Sequence, residues 1–374
     1  MIRPATLSDI DALVAIENTS FDSDRLSRRS FRHLLSPAAN AATLVDEADG
    51  AVRGYAMVLF NTGTSLARMY SYAVQPEHRG RGIGRALVKA CETLALERDC
   101  ISMRLEVRPD NLASRTLFER HGYQFFDTAP DYYEDHAEAL RYEKQLVEHL
   151  RPELVRVPYY QQTLDFTCGP AALMMAMKGL QADLELDRKL ELRLWRESTT
   201  VFMTSGHGGC GPYGLALSAY RRGFDVEVWV NDEGALFINS VRDPEKRVVM
   251  ELVQEDFLDE LETLPVNLVY GALSGADLQA KVEAGGIPLV LISSYRIYQE
   301  KFPHWVVVTG FDQRSFYLHD PYVDRDAGKT LTDCVNMPIS RKDFQRMARY
   351  GKTGQKAVLI LSRRKTRRPR KPRS

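Results

Sequence analysis

The sequence predicts two mixed units in tandem, an α/β unit over residues 1–146 and an α+β unit over 156–362. Three observations lead there. Strand and helix patterns alternate through the first 146 residues. The periodicity then lapses in "VEHLRPELVRV", where Pro152 and Pro158 bracket the restart and 147–155 reads as a linker. Beyond it helical patterns come first and strand patterns later, the order of an α+β layout.

Taken in order, "MIRPA" is a short strand and Ser8 is placed to cap a helix whose apolar stripe is Ile10, Leu13, Val14, Ile16 and Phe21. "AATLVDEADGAVRGYAMVLF" reads as two strands turned by Asp-Gly, a strong hairpin signal. Strand "LARMYSYAV", the glycine-rich "RGRGIG", helix "RALVKACETLALERD", strand "ISMRLEV", helix "ASRTLFERHG" and strands near "YQFFD" and "ALRYEKQL" complete the first unit. In the second, helices are expected after Cys168, across "DLELDRKLELRLWRES" and after Pro212. Strands are expected at "VVMELV", "PLVLISSY", "HWVVVTGF", "FYLHDP" and "AVLILS".

Composition bounds the function. A 44% hydrophobic content over 374 residues suits two cores of ordinary size. Asp9 and Asp11 fall where a signal peptide needs its apolar stretch, and no run of eighteen apolar residues occurs, so a soluble, cytoplasmic protein without membrane contact is expected. Five scattered cysteines without CxxC pairs argue against a disulfide framework and against a zinc site; no metal is expected. Net charge is zero, yet "RRKTRRPRKPRS" at 363–374 holds eight Lys or Arg and no acid. Such a tail reads as a disordered, solubilising segment or as an RNA or ribosome contact, since clustered cations neutralise phosphates whatever the base sequence.

The first chemistry lies in "VQPEHRGRGIGRALVKACE". A glycine-rich turn between a strand and an amphipathic helix lets backbone N–H groups and the helix dipole converge on an anion. The Arg79-x-x-Gly82-x-Gly84 pattern resembles the acetyl-CoA signature of the GNAT acetyltransferase superfamily, and the order of elements over 1–146 resembles that fold. "LEVRPDNLASRTLFERHGY" and "YYEDHAEAL" are similar to the ribosomal-protein alanine N-acetyltransferases, which acetylate protein N-terminal amines. The resemblance implies cofactor contacts from Val74, Arg79, Gly80, Arg81, Gly82, Ile83, Gly84 and Asn111, and a general base at Glu106. An α-amine of pKa ~7.8 is roughly one-third neutral at pH ~7.5, whereas a lysine of pKa ~10.4 is neutral about one part in a thousand, so the first is the easier substrate. Phe118 departs from the pattern: those relatives place a tyrosine there to protonate the leaving thiolate, and phenylalanine has no proton to give. Tyr123, Tyr132 and Tyr133 are near in sequence.

The second chemistry concerns two Cys-Gly-Pro segments, "QQTLDFTCGPAALMMA" at Cys168 and "HGGCGPYGLALSA" at Cys210. Both precede helical stretches, and a thiol of pKa ~8.5 drops to ~3.5–7.5 at a helix N-terminus beside an imidazolium. Gln162, six residues before Cys168, can donate to an oxyanion; Cys210 has no such residue at that offset. "HWVVVTGFDQRSFYLHDP" reads as a hairpin that returns Asp320 to His304, so the carboxylate can orient an imidazole paired with Cys168. His319 is expected on the opposite face of its strand. Gln162, Cys168, His304 and Asp320 resemble, in type and order, the C39-like, papain-fold cysteine peptidases, over about 156–362. The expected function is therefore bifunctional: acetyl transfer from acetyl-CoA to an amine, with thiol-dependent cleavage of a peptide. The alternatives are a peptide-binding second unit that does not cut, and a small-molecule amine acetyltransferase.

Overall fold

The computed structural model describes residues 1–36, 39–199, 202–203, 206–238, 241 and 243–364; most of the basic tail lies outside them. The chain divides into two units, Met1–Leu150 with Leu331–Asp333, and Arg151–Thr330 with the remainder. Both are mixed α/β structures.

The first unit is a seven-stranded sheet in the order β1-β2-β3-β4-β5-β7-β6. Its strands are β1 (Ile2–Pro4), β2 (Ala41–Ala48), β3 (Ala51–Phe60), β4 (Leu66–Val74), β5 (Ser102–Val107), β6 (Gln124–Ala129) and β7 (Ala139–Gln145). All neighbours are antiparallel except β4 and β5. The expected β2–β3 hairpin turns at Asp49 and Gly50, both at positive φ (53° and 76°), as a two-residue turn of the primed type requires. Helices α1 (Ile10–Ser20) and α2 (Arg28–Leu34) cover one face. Helices α3 (Ile83–Glu97) and α4 (Leu112–Arg120) belong to the other side, where Leu87, Val88 and Cys91 meet Ala56, Val58, Met69 and Leu105 in one cluster. The start of the first helical segment differs from expectation: a single 3-10 turn at Leu7–Asp9 comes first, and the Asp9 carboxylate accepts from the Thr6 N–H at 2.7 Å. Ser8 caps nothing and instead meets the Thr6 hydroxyl. The three-residue offset between Thr6 and Asp9 makes a better capping pair than Ser8 alone.

In the second unit the sheet runs Asn267–Tyr270, Phe224–Val230, Ala357–Arg363, Ile287–Ser293, Pro303–Phe311, Ser315–His319, Met337–Ser340. It is antiparallel apart from the first pair. Side chains alternate across it: Leu289, Leu291, Leu359 and Leu361 pack with α5 (Cys168–Leu180) and α7 (Pro212–Arg221). Val290, Ile292, Val358 and Ile360 pack on the other side, with α9 (Gly275–Glu283) and the helix Arg341–Met347. A short strand, Glu153–Leu154, pairs with the far end of Pro303–Phe311 at Gly310 and Phe311. Here glycine is required, because a Cβ on Gly310 would sit 2.2 Å from the Glu153 carbonyl oxygen.

Two expectations for this unit are corrected. "VVMELV" is not a strand but lies inside α8 (Pro244–Glu262). Its β-branched run suggested a strand; Asp243 accepting from the N–H groups of Glu245 and Lys246, Pro244 at the first helical position, and buried Met250, Gln254 and Leu261 at helical spacing decide otherwise. The charged helix is α6 (Arg188–Ser198), starting five residues later than Asp183, because Asp187 caps it by accepting from the Leu190 N–H.

Candidate functional site

In the first unit, β4 ends at Val74 and the chain turns through Arg79–Gly82 into α3. Gly80 and Gly82 have φ of 75° and 79°, and open space surrounds the position a Cβ would take on either. Gly82 is the N-terminal cap residue of α3, with no side-chain cap bond and no acid in the first turn, so the leading N–H groups present the positive end of the helix dipole outward. Arg79, Arg81 and Arg85 are exposed around this turn, and Arg79 is braced by an Nε–H bond to the Val74 carbonyl at 3.1 Å. The turn therefore fits a pyrophosphate. Asn111 caps α4, its Oδ1 accepting from the Ser114 N–H at 3.0 Å.

Glu106 stands on β5, half-buried, and its charge bears on Tyr132 and Tyr133. Burial first, then Glu106, holds both phenols well above their usual range, so both stay protonated in water near neutrality. Tyr133 lies under Arg108, 4.0 Å from guanidinium carbon to ring centroid, and Arg108 also pairs with Asp24 and Asp135. Phe118 is buried edge-on between Tyr72 and Tyr123. The Tyr123 hydroxyl is turned inward onto the Met103 sulfur, 3.1 Å away. Tyr72, which the motifs did not single out, has its hydroxyl tight against Gly84, and burial pushes its pKa up to about 12.

In the second unit Cys168 is the first residue of α5 and Thr167 its cap residue. His304 is the second residue of the strand Pro303–Phe311, and Asp320 follows Ser315–His319. The hairpin brings them together: His304 Nε2 lies 2.6 Å from Asp320 Oδ1, with both side chains buried. Asp320 also accepts from the Tyr298 hydroxyl at 2.6 Å and the Tyr322 N–H at 2.9 Å. Burial opposes charge on both partners. It is outweighed at His304 by the charge and hydrogen bond of Asp320, helped by a hydrogen bond to Cys168, and the imidazole rises to about 10; Asp320 is lowered, mainly by His304. Cys168, His304 and Asp320 are thus gathered as the spacing suggested. His319 is elsewhere: Nε2 meets the Val157 carbonyl oxygen at 2.8 Å and Nδ1 accepts from the Asn336 N–H at 2.9 Å.

The His304 shift has a sign. A group whose folded pKa is raised contributes stability in full below its unfolded value, ~6.5, and loses it as pH climbs through the folded value. Wild-type stability is expected to fall between pH ~6.5 and about 10 relative to His304→Gln. Parallel urea titrations across that range check this; equal slopes would refute it.

Gln162 is buried in the loop before Cys168 and tied to the Asp320 turn by its backbone N–H to the Pro321 carbonyl at 2.9 Å. Its side-chain nitrogen donates to the Leu164 carbonyl at 2.9 Å, and the amide carries one further hydrogen. Cys210 is buried in one apolar cluster with Leu215 and Trp305, its Cβ facing Gly169 and its carbonyl accepting from the Trp305 indole at 3.0 Å, and burial, then the Cys168 charge, raises its thiol well above the usual range. It precedes α7 by two residues.

Two residues of this site escaped the motifs, Tyr298 and Glu191. Glu191, fully buried on α6, accepts from the Tyr160 hydroxyl (3.0 Å), the Thr163 N–H (2.8 Å) and hydroxyl (2.7 Å), and the Thr167 hydroxyl. One carboxylate thus holds the loop that carries Gln162 and ends at Cys168. Its signal in the sequence is a carboxylate three residues before buried Leu194 and seven before buried Ser198, on the covered face of the helix. Glu191→Ala leaves four donors without their acceptor, of which only the Thr167 hydroxyl is on a buried residue, and is expected to cost about 1–3 kcal/mol. Glu191→Gln, keeping one acceptor oxygen, should cost less. Chemical denaturation of both variants checks the order.

Two family models match the chain, one in each unit. The model of the Peptidase_C39 like family matches residues 157–362, more than half of the chain, and that of the acetyltransferase (GNAT) family matches 10–123. An uncharacterized N-acetyltransferase of Methanocaldococcus jannaschii is 33% identical over 141 residues, 37% of this chain and 88% of that protein. Ard1 from Thermoplasma volcanium is 27% identical, covering 40% of this chain and 98% of that one, with a TM-score of 0.37. The ribosomal-protein-S18-alanine N-acetyltransferase from Escherichia coli is 22% identical over the same shares, with a TM-score of 0.36. The chain belongs to the Peptidase_C39 like family and carries, ahead of that region, an acetyltransferase domain of the GNAT family, whose acetyl donor is acetyl-CoA.

Proposed function

We propose that the protein is a bifunctional enzyme, acetylating a peptide or protein N-terminal amine with its first unit and cleaving a peptide with its second. The observation that carries the second half is the buried His304–Asp320 pair beside Cys168 at the start of α5. In the first unit, bound acetyl-CoA supplies the activated acetyl group. Val74, the Arg79–Gly84 turn and Asn111 hold that donor, chiefly through the exposed N–H groups of α3 and the surrounding arginines. Glu106 accepts the proton the amine sheds on attack, directly or through water.

In the second unit the Cys168 sulfur attacks the scissile carbonyl, and Gln162 donates its remaining amide hydrogen to the oxyanion. His304 passes a proton to the departing amine as the C–N bond breaks, and Asp320 keeps the imidazole aligned. Water, deprotonated by His304, then releases the acid product from the thioester and restores the thiol. Linking both sites in one chain raises their effective concentration on a shared substrate.

A second reading is that the second unit holds a peptide without cutting it: Gln162 already donates to Leu164, which leaves one amide hydrogen for an oxyanion. The test is incubation of the full chain with acetyl-CoA and a defined peptide library, read by mass. Acetyl gain with cleavage supports the bifunctional reading. Acetyl gain with peptide retained and uncut favours the second. Acetylation of polyamines in preference to peptides would overturn the peptide substrate.

A further inference from the structure

The second sheet has one face against α5 and the other against α9 and the helix Arg341–Met347. Leu289, Leu291 and Leu359 pack with α5, the helix of Cys168, whereas the alternate residues Val290 and Val358 point away from it. On that far side the packing is incomplete. A cavity of about 320 Å³ opens between the sheet, α9 and the helix Arg341–Met347. Its walls are mainly apolar, with Trp229, Leu273, Leu278, Val290, Phe344 and Val358 supplying the larger surfaces.

The charged residues lining it are two, Arg349 and Lys356, and both are cations. Arg349 is exposed and Lys356 half-buried, and neither forms an ion pair with a described residue. Of the carboxylates on neighbouring elements, Glu227 pairs with Lys281 and Asp343 with Arg296 and Arg346, while Asp277 on α9 accepts from the Ser274 N–H and hydroxyl. The volume corresponds to about ten water molecules, yet apolar walls offer them few hydrogen bonds. An apolar concavity of this size with a few polar groups in its lining is the usual form of a small-molecule site. Two unpaired cations and no acid in the lining select against cations and for an anion.

The geometry points to a binding site for a small amphipathic anion, a medium-chain carboxylate, with its tail against Trp229, Val290 and Phe344 and its head between Arg349 and Lys356. The lining shares no residue with the set Gln162, Cys168, His304 and Asp320, so the site is distinct from the cysteine centre.

The test is calorimetric titration of the full chain with hexanoate, octanoate and decanoate at fixed ionic strength, and with octanol as the neutral counterpart. One site per chain is expected, tightening about three- to fourfold per added methylene until the cavity is full. Octanoate should bind at least about tenfold more tightly than octanol, and Arg349→Glu with Lys356→Glu should remove that advantage while octanol still binds. If the reversed charges lower the melting temperature, Arg349→Gln with Lys356→Gln is read instead, with the same expectation. Affinity independent of chain length, several equivalent sites, octanol matching octanoate, or a neutralised variant that binds octanoate as wild type does would each overturn the assignment.

Discussion

Cys168→Ala is expected to reduce peptide cleavage by about 10⁴-fold or more while leaving acetyl transfer unchanged. The size follows from the role: without sulfur the buried His304–Asp320 pair has nothing to deprotonate, and what remains is binding and polarisation of the carbonyl. Specificity for one thiol follows from burial. Cys210 is held protonated by its surroundings and buried in the apolar cluster with Leu215 and Trp305, so Cys210→Ala should perturb packing far more than chemistry. Iodoacetamide labelling read by mass should mark Cys168 first. If cleavage survives in Cys168→Ala, the thiol mechanism is wrong; if Cys168 labels but neither protein cleaves, the unit binds.

Glu106→Gln should lower the acetylation rate about 10²-fold near pH 7. The deficit should shrink as pH rises past ~8, because an α-amine of pKa ~7.8 is then neutral without help. Rates measured from pH 6 to 9 on a peptide with a free N-terminus separate the roles. A deficit constant with pH would make Glu106 a residue that orients the substrate, and no deficit would remove it from the mechanism. Phe118 bears on the same experiment from the other side. It is sealed between Tyr72 and Tyr123, and the Tyr123 hydroxyl is turned inward onto the Met103 sulfur, so neither Phe118 nor Tyr123 offers a proton to the leaving thiolate.

The parts of both sites that follow from local geometry were legible in the sequence. A hairpin of known length returns Asp320 to His304, and alternation sends His319 to the other face; both are properties of a strand, independent of what packs on it. The Gly-x-Gly turn before α3 is legible for the same reason, since positive φ at Gly80 and Gly82 is a local demand. Tyr298 and Glu191 were not, because each reaches its partner across a tertiary contact that no spacing encodes. The α8 strand expectation failed where β-branched residues spoke for a sheet and the Asp243-Pro244 cap spoke, more strongly, for a helix. Val248, Val249 and Leu252 remain exposed on that helix, so their apolar character never reported burial.

Glu153 and Leu154 fix where the C-terminal half can be cut. Where the strand Ile287–Ser293 has ended, those two residues continue alongside Gly310 and Phe311, and the Val155 N–H adds a bond to the Thr309 carbonyl at 2.7 Å. A fragment begun at residue 157, where the family match starts, would bare those backbone groups beside a glycine that offers no side chain to shield them. Unpaired strand edges recruit other chains. A fragment begun at 151 keeps the edge closed, and six residues therefore separate a preparation that stays dispersed from one prone to self-association.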